Sequence, residues 1–140
     1  GLLWMSRAVL PGMVTRDAGH VINIGSISGH QVYPGGGVYC ATKAAVRTLT
    51  EGLRHDLLGT RVRVSAVDPG LVHTEFSLVR FHGDQQAADP VYQRFPPLQP
   101  EDVAECVLFC ASRPPHVAIA DLVVMPQDQA SVTAAYQRGV

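Results

Sequence analysis

The sequence predicts an α/β protein in which a parallel sheet of about three strands packs against flanking helices. Three observations carry this expectation. Short apolar, β-branched runs stand at residues 20–24, 61–67 and 122–125. Longer stretches with apolar residues at helical spacing separate them, bounded by Gly, Pro and Asp. A strand–helix–strand–helix–strand order then gives parallel strands joined by right-handed crossovers.

The elements follow in chain order. From Gly1 to about Thr15, Leu2, Leu3, Met5, Val9, Leu10, Met13 and Val14 recur at helical spacing, and Pro11 is expected to break or kink the last turn. Trp4 and Met5 on this helix suit a core or a subunit interface. Asp17-Ala18-Gly19 makes a turn into His20-Val21-Ile22-Asn23-Ile24, a run typical of a buried strand. Gly25 to Gly37, rich in Gly and Ser with Pro34, reads as an ordered loop. Val38 to Leu58 repeats Ala41, Ala44, Ala45, Val46, Leu49, Leu53 and Leu57 on a helical period, with Gly59 placed to stop it. Arg61 to Val67 is a second strand and ends at Asp68-Pro69-Gly70. Leu71 to Leu98 is irregular, a lid-like insertion with one short helix expected near Ala87 to Phe95. Pro100-Glu101-Asp102 opens a helix to about Ser112, since proline and acids favour a helix N-terminus. Leu122-Val123-Val124-Met125 is the third strand, followed by a polar tail.

Composition narrows the function. With 140 residues, 46% apolar residues and a net charge of −1, the chain has the size and balance of one globular domain with a real core. Its arginines are scattered, which argues against nucleic acid as a partner. No apolar stretch is long enough to span a membrane and no signal-peptide pattern is visible. Cys40, Cys106 and Cys110 form no metal-type spacing and read as small buried apolar residues of a reducing, cytoplasmic compartment. His30, His73 and His82 likewise suggest no metal site and read as loop or surface residues. The start at Gly1, without methionine and inside an apolar helical pattern, reads as a cut edge.

One position stands out. Lys43 is the only lysine beside ten arginines, and it follows Tyr39 by four residues. Such a pair shares one face of a helix. An ammonium there is expected to favour the phenolate and lower the tyrosine pKa from about 10, which would make Tyr39 a general acid or base. Ser26 lies thirteen residues before Tyr39, just after the first strand, and Pro69-Gly70 follows the second. Ligands of parallel α/β sheets bind beyond the carboxyl ends of the strands. All of these residues therefore converge on one sheet edge.

Taken together, Asn23-Ile24-Gly25-Ser26-Ile27-Ser28-Gly29, Tyr39-Cys40-Ala41-Thr42-Lys43 and Asp68-Pro69-Gly70-Leu71-Val72-His73-Thr74 resemble the short-chain dehydrogenase/reductase family. The resemblance covers essentially the whole chain, but only the second half of a family member. It implies the C-terminal, catalytic half of a doubly wound, Rossmann-like dinucleotide-binding domain over residues 1–140, without the phosphate-binding half. It also implies that Ser26 holds the substrate oxygen, Tyr39 exchanges a proton with it, and Lys43 bonds the nicotinamide ribose. Pro69, Gly70, Val72 and Thr74 would hold the nicotinamide end of the cofactor, with Val72 offering its backbone to the carboxamide and Pro69-Gly70 keeping side chains away from the ring.

Further runs, Leu10-Pro11-Gly12-Met13, Gly35-Gly36-Gly37-Val38-Tyr39, Thr74-Glu75-Phe76-Ser77-Leu78-Val79-Arg80-Phe81 and Pro100-Glu101-Asp102-Val103, look like the subgroup of 3-hydroxy acid dehydrogenases. That likeness implies NADP, with NAD as the other choice, and a small hydroxy acid such as serine or allo-threonine, or the matching carbonyl compound. Arg80, a planar fork suited to carboxylate, is a candidate substrate ligand. A homodimer or homotetramer through helices 1–15 and 38–58 is implied as well. The glycine-rich phosphate loop and the asparagine of the family's catalytic set are absent, so the 140 residues alone are expected to be inactive. The alternative is a truncated relative that serves only as an oligomerisation module.

Overall fold

The computed structural model describes residues 1–137. Its elements are α1 (Leu2–Thr15), β1 (Gly19–Ile24), a 3₁₀ turn (Ile27–Gly29), α2 (Gly37–Asp56), β2 (Val62–Pro69), α3 (Phe76–Arg80), α4 (Gln85–Tyr92), α5 (Pro100–Ala111) and β3 (Asp121–Val124). The three strands form one parallel sheet in the order β1-β2-β3, so β2 is central. The α/β reading and its three strands are observed.

Strand alternation sorts residues onto two faces. Val21 pairs in register with Val64 and Asn23 with Ala66, which puts these four on one face. There Leu57, Val62 and Val64 form a buried cluster with Leu10 and Met13 of α1, Val21, and Leu53 of α2. Asn23 Nδ2 donates to Thr50 Oγ1 at 2.9 Å, which ties β1 to α2 deep in the fold. On the other face His20 Nε2 meets Ser65 Oγ at 2.8 Å. The Arg63 guanidinium donates to the carbonyls of Ala111, Arg113 and Val117, so a cation closes the C-terminal end of α5. Cys40 and Cys110 are buried, Cys106 is half-buried, and all three are free thiols.

Several sequence expectations change. α1 runs through Pro11 to Thr15 without a break. The carbonyl that the proline leaves without a helical partner belongs to exposed Arg7, where solvent can satisfy it, and Thr15 Oγ1 donates to the Pro11 carbonyl at 2.9 Å. β1 is not a buried strand: only Asn23 is buried and Ile24 is 47% exposed, because β1 pairs on one side only among the described residues. α2 ends at Asp56, and Gly59 takes φ +90° three residues later. The insertion carries two helices where one was expected. Asp84 caps α4 by accepting the Ala87 N–H at 3.1 Å, so that helix begins before Ala87 and stops at Tyr92. α3 has five residues, too few to show a periodic pattern.

The base of this insertion is pinned. Val72 bridges Leu98, with His73 N–H donating to the Leu98 carbonyl at 2.8 Å and Leu98 N–H to the Leu71 carbonyl at 2.9 Å. The segment from 74 to 97 therefore leaves and returns at one point beside the carboxyl end of β2.

Candidate active site

A cleft of about 570 Å³ opens at the carboxyl ends of β1 and β2. Its walls include Ser26, Tyr39, Pro69, Gly70, Val72, Thr74 and Arg80, so one concavity collects seven of the eight residues singled out in the sequence. Lys43 is the eighth and lies just outside the lining. The volume falls in the range that holds a small ligand with part of a cofactor.

Ser26 sits where β1 gives way to the 3₁₀ turn. Its extended backbone makes it the cap of that turn, and its Oγ accepts the Ser28 N–H at 3.1 Å. An Oγ that already accepts still has its own proton to donate. Ser26 and Tyr39 line the same cleft, and the nearby serine acts to lower the tyrosine pKa.

Tyr39 is in the first turn of α2 and stacks in tilted fashion on Phe76 of α3, with ring centroids 5.4 Å apart. Burial pushes its phenol above the ordinary value of 10.0, against the opposing pull of nearby Ser26 and of the Arg80 charge. The lowered pKa expected from Lys43 is not found. The Lys43 ammonium lies 6.0 Å from the Tyr39 ring centroid and donates instead to the Ile24 carbonyl at 3.2 Å. Burial also pulls the Lys43 pKa below its ordinary value, while the Asp68 charge pulls it back up. Desolvation thus disfavours the charged form of both groups.

The turn after β2 is shaped by its neighbours. A Cβ on Gly70 would lie 2.5 Å from Gln129 Oε1 and 3.0 Å from Pro126 Cδ, so the glycine makes room for the tail as well as for the cleft. Gln129 Oε1 in turn accepts the Leu71 N–H at 2.8 Å. Because Leu71 and His73 make the hydrogen bonds to Leu98, the N–H and C=O of Val72 point the other way, with no protein partner among the described residues. Thr74 Oγ1 accepts the Phe76 N–H at 3.2 Å, and its carbonyl accepts from the Tyr92 hydroxyl at 2.8 Å. Capping and cleft lining coexist at Thr74.

Arg80 is held in place by Tyr33, whose hydroxyl accepts from it at 2.8 Å and whose ring lies 5.4 Å from its guanidinium carbon. Arg94 also lines the cleft, and among the described residues no Asp or Glu does. The cleft is therefore largely apolar, with the hydroxyl residues Ser26, Tyr39 and Thr74 and the cations Arg80 and Arg94 in its lining.

Sequence reasoning missed Tyr33, Arg94 and Gln129, which come from loops and the tail with no periodic signal. It also placed His30 as a plain loop residue. In the structure His30 Nε2 donates to Asp68 Oδ2 at 2.7 Å, and Asp68 is 1% exposed. A carboxylate closing an apolar strand was the available signal, since a buried charge needs partners.

Among known proteins, residues 1–84 match the family described as short chain dehydrogenase. The chain is 49% identical over 138 residues to the NADP-dependent 3-hydroxy acid dehydrogenase of Schizosaccharomyces pombe, across 99% of this chain and 53% of that protein. It is 55% identical over 130 residues to the NADP-dependent 3-hydroxy acid dehydrogenase YdfG of Escherichia coli K12, across 92% of this chain and 52% of that one. Among solved structures it resembles the closed form of a serine dehydrogenase complexed with NADP+, with a TM-score of 0.92, 51% identity, and coverage of 99% and 56% of the two chains. The serine dehydrogenase from Escherichia coli follows with a TM-score of 0.75, 46% identity, and coverage of 92% and 50%. The chain spans about half the length of the curated relatives it matches.

Proposed function

The chain belongs to the short chain dehydrogenase family, and on that premise we propose that its cleft is the reaction centre of an NADP-linked oxidoreductase acting on a small 3-hydroxy acid such as serine. One observation carries the reading: Ser26 and Tyr39 line one cleft whose charged lining residues are Arg80 and Arg94. The names of the relatives support NADP and the hydroxy acid.

The residues present fit a nicotinamide. The unpartnered N–H and C=O of Val72 match the two hydrogen-bonding groups of a carboxamide, and the Pro69-Gly70 turn offers a flat backbone wall beside them. Thr74 would bond the carboxamide or pyrophosphate, and Lys43 and Tyr39 would meet the ribose. When bound, the nicotinamide supplies the hydride acceptor for oxidation and the donor for reduction.

The protein's own residues do the rest. Ser26 donates its free hydroxyl proton to the substrate oxygen and fixes its position. Tyr39 takes the proton from the substrate hydroxyl in oxidation and returns it in reduction. Arg80, oriented by Tyr33, presents a guanidinium fork to the substrate carboxylate. Phe76, Phe81 and Val91 add apolar surface to the same cleft, which disfavours water there.

Assembly and location belong to the same proposal. α1 exposes Leu3, Trp4 and Met5, α2 exposes Val38, and these faces suit contact with a second copy in a homodimer or homotetramer. No helix among the described residues is long and apolar enough to cross a membrane, and a cytoplasmic location fits the proposed use of NADP. NADPH formation from a 3-hydroxy acid by the protein that carries this chain tests the function. The reading fails if NADPH does not form, or if Tyr39→Phe leaves its rate unchanged.

A further inference from the structure

We propose that Asp68 and His30 form a positioning pair that clamps both ends of the turn bearing Ser26 and so aims its hydroxyl. The inference rests on the role of Ser26 proposed above. Asp68 closes β2 and is 1% exposed, yet the proton transfer does not use it. Each of its oxygens is engaged. Oδ1 accepts the N–H of Ser26 at 3.1 Å, and Oδ2 accepts from His30 Nε2 at 2.7 Å. A carboxylate only accepts, so Nε2 carries the hydrogen.

Ser26 and His30 are the two caps of the 3₁₀ turn Ile27–Gly29, with Gly29 N–H donating to the Ser26 carbonyl at 2.8 Å and His30 N–H to that of Ile27 at 2.9 Å. One carboxylate therefore holds the first and last residue of the turn. The turn has no slack on either side. A Cβ on Gly25 would stand 1.7 Å from Asp68 Oδ1, and one on Gly29 would stand 2.8 Å from the Lys43 carbonyl. The turn is wedged between the end of β2 and the backbone of α2.

Within it, Ser26 Oγ is fixed by the Ser28 N–H, so the backbone position of Ser26 dictates where its free proton points. If His30 lets go, Oδ2 is left without this partner, the carboxylate is free to rotate, and Ser26 follows. Displacements of about 1 Å in such a group cost on the order of a hundredfold in rate.

His30 is the residue to change, because its side chain is 25% exposed and its loss leaves the Asp68 charge beside Lys43 intact. The test measures kcat and KM for NADP-linked serine oxidation in the protein that carries this chain, as wild type, His30→Ala, Ser26→Ala and the double variant, with Tm as the check on folding. His30→Ala is expected to lose about tenfold in kcat with KM changed less than about twofold. In the Ser26→Ala background the same change is expected to cost less than about twofold, because the two residues act as one unit. His30→Gln, whose amide can donate to Oδ2, is expected to recover most of the loss. Should the Tm of His30→Ala collapse, His30→Leu, which fills the space but cannot donate to Oδ2, replaces it in the cycle with the same expectation.

The inference is overturned if the variant keeps wild-type kcat or loses the same factor in both backgrounds. Wild-type turnover by Ser26→Ala itself would instead overturn the role given to that serine under the proposed function.

Discussion

Substituting Gly25 by alanine is expected to disable the site without touching any reacting group. An ideal Cβ at this position lies 1.7 Å from Asp68 Oδ1, whereas ordinary contact begins at 3.4 Å, so the carboxylate has to retreat by about 1.7 Å. Its bond to the Ser26 N–H, 3.1 Å long, cannot survive that movement. A hydrogen bond to a charged group contributes about 1.5–3 kcal/mol, and the buried N–H left behind adds a desolvation cost of about 1–3 kcal/mol. Relaxation of the turn recovers part of this, so a destabilisation of about 2–4 kcal/mol follows. In the protein that carries this chain, Tm should fall by several degrees. Because Ser26 moves by a sizeable fraction of an ångström or more, kcat for NADP-linked serine oxidation should drop about a hundredfold. Thermal unfolding and steady-state kinetics read the two effects separately. A variant with kcat within about threefold of wild type and an unchanged Tm would refute the close contact and the argument built on it.

Three other outcomes follow from the same geometry. Lys43→Arg should lose about a hundredfold or more in kcat although the charge is kept, because a planar fork cannot replace an ammonium wedged between the Ile24 carbonyl, Tyr39 and Asp68; unchanged kcat would overturn the role of Lys43. Burial raises the Tyr39 pKa, so without cofactor the phenolate should form only above pH 10, read as the tyrosinate absorbance of wild type minus that of Tyr39→Phe; ionisation below pH 9 would contradict this. The sign carries into turnover, where oxidation needs the phenolate and rises with pH, while reduction needs the phenol and rises as pH falls. Arg80→Ala should raise KM for a 3-hydroxy acid by about tenfold or more and leave KM for the corresponding uncharged alcohol unchanged; equal shifts for both would remove Arg80 from carboxylate recognition.

The sequence carried the parts of this site that depend on local order. Strand periods, the Pro100 helix start and the Tyr39–Lys43 spacing are set by residues a few positions apart, and the structure keeps them. The convergence of Ser26, Tyr39 and the Pro69-Gly70 turn was also legible, since a parallel sheet puts the ends of its strands on one edge.

What stayed hidden depends on long-range contact. Asp68 and His30 are 38 residues apart and Arg80 and Tyr33 are 47 apart, and no periodicity links them. The direction of the Tyr39 shift was misread because spacing shows the neighbouring charge but not the burial that opposes it. The composition of β1 suits a buried strand but says nothing about whether a strand has a neighbour on both sides.

In the proposed function, Tyr39 is the group that transfers the proton in NADP-linked oxidation of a 3-hydroxy acid. The most direct test is the ratio of kcat/KM for NADPH formation from serine between wild type and Tyr39→Phe in the protein that carries this chain. The account predicts a loss of about a thousandfold with NADP affinity and fold retained, since the ring stays and only the hydroxyl is removed. A ratio within about tenfold would contradict it.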